Sequence, residues 1–171
     1  MKSAEKSPKD RDDTVSLCSV RAGPGLFGIE TRQIREVLGA STPLRVPLAP
    51  EYIAGVVPYR GEVLTTVSFR ALLGLERGSP TGCVLVFDDE QNNERFGLMV
   101  DAVGGVVPLA RNALEANPGS LDARSMALFD GAYRMQSGLM VRLDPQRLRP
   151  SQLARNRLFG TPQPGSTGEP R

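Results

Sequence analysis

The chain has 171 residues with 21 Lys and Arg against 19 Asp and Glu, a net charge of +2, and it contains neither histidine nor tryptophan. The missing histidine removes the commonest general base, the usual Ser or Cys triads and most zinc sites; sparse aromatics and dispersed arginines argue against single-strand stacking platforms and duplex-binding stripes. Eighteen glycines and fourteen prolines point to many turns and so to β-architecture, in one domain or two small ones sharing a core.

Residues 1–14 are polar and charged and are expected to be a disordered tail, with no leader peptide or spanning segment. Val15 to Val20 reads as a first strand. A Gly23-Pro24-Gly25 turn leads into a second strand over Leu26, Phe27 and Ile29. Ile34, Val37 and Leu38 fall on one face of a helical turn that Gly39 closes. Leu44 to Leu48 is extended and flanked by prolines. The stretch from Tyr52 to Leu73 then alternates: an apolar run to Pro58, the turn Arg60-Gly61, a period-two strand through Val63, Thr65 and Val67, and a helix capped by Ser68.

The composition of 77–82 is that of a linker. Cys83–Phe87 and Phe96–Val100 form a hairpin around a polar tip. The region 108–131 is the least regular, with one helical turn at 111–116. A last hairpin, Ala132–Met135 and Leu139–Leu143, precedes a helix start at Asp144-Pro145. Leu148, Leu153 and Leu158 give the C-terminal helical region its apolar face, and 159–171 is expected to be a second disordered tail. Cys18 and Cys83 follow no metal spacing and are expected to be reduced and buried. Asp101, lacking a second acid or metal spacing, reads as a local cap or turn residue, and no cofactor or metal is called for.

The chain repeats an order of events. Phe27-Gly28-Ile29 answers to Phe96-Gly97-Leu98, Ile34 and Val37 to Val103 and Val106, and Gly55 with its hairpin to Gly131 with its own. Halves of about 65 residues are small to stand alone, so the expected domain, 15–158, is built from two pseudo-repeated β-barrel halves at about 15–80 and 83–158. The fold class is mostly β: two five-stranded barrels packed together, with a few short helices.

Two stretches carry a family likeness. Gly55-Val56, Arg60-Gly61-Glu62-Val63-Leu64 and Val67-Ser68-Phe69-Arg70 resemble the first signature of the CheW-like domain, and Phe96-Gly97-Leu98-Met99-Val100-Asp101-Ala102-Val103 is similar to its second. The resemblance implies two SH3-like five-stranded barrels in a non-enzymatic adaptor of bacterial chemotaxis or motility arrays. Its implied partners are a methyl-accepting chemotaxis-type receptor, the regulatory domain of a CheA-type histidine kinase and other CheW-like proteins. The implied location is cytoplasmic, recruited to receptor arrays at the inner membrane.

The resemblance also implies the site. Arg60 and Glu36 would pair in the receptor- and kinase-facing region, and Ile34 would sit beside the groove between barrels, although its periodicity places it in the core. Gly55 and Gly61 would shape the turn backbone. The chain departs from the signature at Pro58, where asparagine is usual, at Thr65 for proline and at Ser68 for aspartate. Because Pro58 alters the loop that carries Arg60, and because the 65–68 segment also departs, a second reading is a receptor-binding decoy or a pathway-specific CheW-like protein that does not activate the kinase. A small acid–base enzyme using Asp101 or Glu62 and a nucleic-acid-binding barrel are the remaining alternatives.

Overall fold

In the computed structural model, residues 13–160 are described; the expected tails fall on 1–12 and 161–171, which lie outside the described residues, apart from their innermost positions. Ten strands follow in order: β1 Thr14–Ala22, β2 Gly25–Glu30, β3 Glu36–Ser41, β4 Ile53–Tyr59, β5 Glu62–Ser68, β6 Gly82–Asp89, β7 Glu94–Val100, β8 Ala102–Ala110, β9 Phe129–Met135 and β10 Gly138–Leu143. Three short α-helices interrupt them, α1 Phe69–Leu72, α2 Ala123–Leu128 and α3 Pro150–Arg155.

The strands make two five-stranded sheets, ordered β8-β1-β2-β10-β9 (sheet I) and β3-β6-β7-β5-β4 (sheet II). Each is curled until the segment after its first edge strand meets the opposite edge: Leu44 pairs with Val56 of β4, and Glu115 with Ala132 of β9. The mostly β fold of two curled sheets is as the sequence led us to expect.

Each sheet is covered on both faces, which explains why its central strands read as continuous apolar runs rather than alternating ones. In β6, Val84 and Val86 point into the inner core of sheet II with Val57, Tyr59 and Leu64. Their neighbours Leu85 and Phe87 point the other way, into a core shared with sheet I. In β1, Leu17 faces the inner core of sheet I with Val15, Tyr133 and Met140, while Cys18, Val20 and Ala22 face the shared core. A fully buried Leu or Phe contributes about 2–3 kcal/mol, so the shared core is the main bond between sheets.

The repeat is real but neither half is a barrel. Advancing five strands converts sheet I into sheet II, β1-β2 becoming β6-β7 and β8, β9 and β10 becoming β3, β4 and β5. Each half therefore gives a hairpin to one sheet and three strands to the other. The division into barrels at 15–80 and 83–158 fails because sheet membership is set by long-range pairing. The parallel pairs β2–β10 and β5–β7 join strands from opposite halves.

Four smaller expectations are corrected. The helix over 34–38 is a 3-10 turn at Thr31–Gln33 followed by β3, because Glu36, Val37 and Leu38 pair with Val86, Leu85 and Val84. Helix α2 was not foreseen; Asp122 caps it by accepting from Ser125 N–H. Leu158 is exposed, and Phe159 instead is 6% exposed in the shared core, with the Arg124 guanidinium 5.1 Å from its ring centre, so the ordered domain runs past 158. Asp101 is not a local cap: its carboxylate accepts from Gly23 N–H at 2.7 Å and from Arg70 at 2.6 Å. Ser68 does cap α1, its Oγ accepting from Ala71 N–H at 3.2 Å, and Asp144 caps the turn at Pro145–Leu148.

Candidate partner-binding surface

The β4–β5 hairpin turns in two residues between the paired Tyr59 and Glu62. Arg60 and Gly61 both have positive φ, 49° and 78°, the backbone of a type I′ turn. Gly61 adopts this freely, and a side chain added there would meet nothing within 4 Å. Arg60, a non-glycine residue in the left-handed region, costs about 1 kcal/mol or more. The turn throws the Arg60 side chain back over the sheet.

There it meets Glu36, the first residue of β3. Arg60 donates to Glu36 Oε2 from Nη2 at 3.0 Å and from Nε at 3.3 Å. The Tyr59 hydroxyl donates to the same oxygen at 2.8 Å. The Arg60–Glu36 pairing is thus present, but both guanidinium N–H groups converge on one carboxylate oxygen instead of spanning two. The hydrogen bond from Tyr59, then that from Arg60, holds the Glu36 carboxyl below its ordinary value, and the pairing with Glu36 raises Arg60 further. The pair stays open to solvent, the side chains being 65% and 37% exposed.

Sequence reasoning missed Tyr59, whose ring belongs to the inner core of sheet II while its hydroxyl reaches the rim. Its alternation with Val57 along β4 was the available signal. It also missed the neighbouring ions: Arg95 bonds Asp88 at 2.9 Å and Glu62 at 3.2 Å, and Arg60 and Arg95 lie 5.4 and 5.8 Å from the Tyr59 ring centre.

The other expected residues divide. Pro58 is exposed on edge strand β4, where a missing N–H is tolerated; it pairs with the exposed Val63. Leu44, Val46 and Leu48 are also exposed on the segment that pairs with β4. Gly55 is buried within β4 rather than in a turn; its φ is 145°, and a Cβ would collide with the Leu44 carbonyl. Its counterpart Gly131, φ 143°, faces the Glu115 carbonyl at the equivalent closing bridge. Ile34 is half-buried against the shared core. Beside it, pairing places Val37, Leu85, Leu98, Val67 and Ile53 in one row across sheet II. Val37 is the row's exposed end at 43%, and its counterpart Val106 on β8 is 60% exposed. A polar cleft of about 390 Å³ lies elsewhere, between Asn92, Glu94, Arg149 and Arg155.

The repeat supplies an internal control. The registers that match Gly55 with Gly131 and Phe27 with Phe96 place Gly105, Met135 and Gln136 of sheet I where sheet II has Glu36, Tyr59 and Arg60. Leu44 and Pro58 correspond to Glu115 and Arg134, which pair with each other at 3.0 Å. One face carries the Glu115–Arg134 ion pair, with the exposed Leu139 where the other has Val63. The other is apolar and bordered by the Glu36–Arg60 pair.

A family profile described as a CheW-like domain matches residues 16–152. The chain is 30% identical over 102 residues to a chemotaxis protein CheW of Rhizobium meliloti (strain 1021) and 28% identical over 102 residues to a probable chemotaxis protein CheW of Rhizobium etli. In each case the match covers 60% of this chain and 66% of the relative, just under two thirds of its length. A chemotaxis protein CheW of Treponema pallidum (strain Nichols) is 18% identical over 143 residues, 80% of this chain and 83% of that one. Among solved structures, the scaffolding protein TtCheW from Thermoanaerobacter tengcongensis superposes with a TM-score of 0.66 over 76% of this chain and 88% of that chain, at 21% identity, a likeness of fold.

Proposed function

Because this chain belongs to the CheW-like domain family, we propose that it is a non-enzymatic adaptor that couples a chemotaxis-type receptor to a CheA-type histidine kinase. The observation that carries the reading is the asymmetry between the two sheets. Sheet I builds the same hairpin and crossover with Gly105, Met135 and Gln136, so the fold does not need a Glu36–Tyr59–Arg60 cluster. Sheet II nevertheless keeps Arg60 in a strained backbone and fixes it against Glu36, as a presented donor should be.

Two surfaces follow. Arg60, Glu36, Pro58 and Val63, with Leu44, Val46 and Leu48, form the face offered to the kinase's regulatory domain or to another CheW-like protein. Val37, at the exposed end of its row across sheet II, and its counterpart Val106 on β8 flank the seam offered to the apolar face of a receptor's helical tip. Ile34 supports that seam from beneath, and Gly55 and Gly61 hold the backbone of the hairpin. Modest contacts at both surfaces gain from multivalency in an array. Among the described residues no helix is long and apolar enough to cross a membrane, so recruitment to receptor arrays at the inner membrane would run through the receptor.

The test is receptor and kinase capture with Arg60→Glu, together with kinase stimulation in the presence of receptor. Arg60→Glu is expected to leave the strand circular dichroism unchanged and weaken capture at least about tenfold, the cost of opposing two like charges at a formed contact. Undiminished capture overturns the role of Arg60. The decoy reading rests on Pro58, since Ser68 caps its helix; wild-type protein that captures receptor without stimulating the kinase would decide for it.

A further inference from the structure

The exchange of strands between the repeats has a consequence for self-association. Within each half, only the hairpins β1–β2, β4–β5, β6–β7 and β9–β10 are local. Every other neighbour relation, β8–β1, β2–β10, β3–β6 and β7–β5, joins the first half (β1–β5) to the second (β6–β10). The shared core is likewise drawn from both, with Cys18, Ile29 and Val67 from one and Leu85, Leu98 and Leu143 from the other. A half alone holds two hairpins and a lone strand, which is below what a sheet needs for independent stability. Its complement can come from its own chain or from a second copy with the same contacts.

Only the connection between halves distinguishes the two cases. Gly74, φ 68°, turns the chain back after α1. Gly74 N–H donates to Ala71 O at 3.1 Å and Leu75 N–H to Arg70 O at 2.9 Å. Arg70 Nε then grips the Glu76 carbonyl at 2.8 Å, and residues 76–81 are exposed. These bonds, with Thr81 N–H donating to Ser79 Oγ at 3.2 Å and the Thr42 and Thr81 hydroxyls 2.7 Å apart, hold the fold-back at a solvent-facing hinge, against eight strand pairings that do not depend on it.

We propose that this chain exchanges halves with a second copy of itself, residues 74–81 serving as the hinge, to give a dimer in which β1–β5 of each copy is completed by β6–β10 of the other. The exchanged dimer keeps every sheet contact and straightens the hinge, so its population rises with concentration during folding. Gly74 is the closure residue. A β-branched side chain there has room, the nearest atom being Arg124 Nη1 at 3.9 Å, but disfavours the left-handed backbone of the closed form.

The experiment refolds a 1:1 mixture of two differently tagged full-length copies from denaturant at high protein concentration, then applies both tags in sequence and measures mass. A two-tag species of twice the monomer mass, with unchanged strand circular dichroism and no exchange of partners without unfolding, is expected. Gly74→Val is expected to raise its fraction about fivefold or more, and deletion of residues 77–80 further still. Single-tag monomer alone from wild type, or a two-tag species that has lost the strand signal, overturns the proposal; if a variant fails to fold, the co-refolded wild type decides. Neither outcome bears on the adaptor reading, which concerns other surfaces.

Discussion

Arg70 and Asp101, 31 positions apart, form a 2.6 Å ion pair. They come from the two separate signature stretches, so the motifs that mark the chain in sequence touch in space. Asp101 lies where the chain leaves sheet II for sheet I, and the same carboxylate oxygen accepts from Gly23 N–H in the β1–β2 turn, while Asp101 N–H donates to Arg21 O at 2.9 Å. One side chain thereby ties the crossover, a turn of sheet I and the helix that follows β5.

Asp101→Ala is expected to destabilise the chain by about 1–2 kcal/mol, since it removes a partly exposed ion pair and strands the Gly23 N–H. Asp101→Asn, which can still accept, should cost less. Urea unfolding of the two variants orders them; equal losses would assign the whole contribution to the charge of the carboxylate, and no loss in either would remove Asp101 from the tie.

Gly55→Ala and Gly61→Ala separate two uses of positive φ. At Gly55 a Cβ meets the Leu44 carbonyl, so the bridge that closes sheet II must open, and a loss of about 3 kcal/mol or more is expected. At Gly61 only the backbone preference is lost, about 1 kcal/mol. The difference in urea midpoint between the two variants reads this directly.

The Glu36 carboxyl is depressed, so what it contributes is fully present above its unfolded value and is lost as pH falls through the lower folded one. A carbon-detected titration of Glu36 is expected to show a midpoint under the ordinary glutamate value of about 4.3. Tyr59→Phe should move that midpoint up, because the hydroxyl is the first cause of the depression. An unmoved midpoint would remove Tyr59 from the cluster.

Phe159→Ala is expected to cost about 3 kcal/mol, as a buried ring in the shared core should. A thermal melt of the variant reads this loss, and an unchanged melting temperature would take Phe159 out of the shared core.

Much was legible in the sequence because it depends on near neighbours. The Arg60-Gly61 turn, the capping by Ser68 and Asp144, and the strands on either side of Gly28 and Gly97 follow from backbone preference and period-two patterning within a few residues. The repeat was legible too, as were Arg60 and Glu36 as a pair once the family likeness was drawn. What local pattern could not carry was partnership at a distance. Val37 and Leu38 satisfy a helical spacing as well as a strand, and only pairing with β6 decided between them. Phe159 was indistinguishable from tail residues until the shared core supplied a place for its ring. Asp101 showed no acid or metal beside it in sequence, yet found Arg70 and Gly23 across the sheets. The assignment of strands to sheets was decided by tertiary structure alone, because an apolar strand covered on both faces fits either neighbour equally well by composition, and the free energy that chooses lies in pairings between the halves.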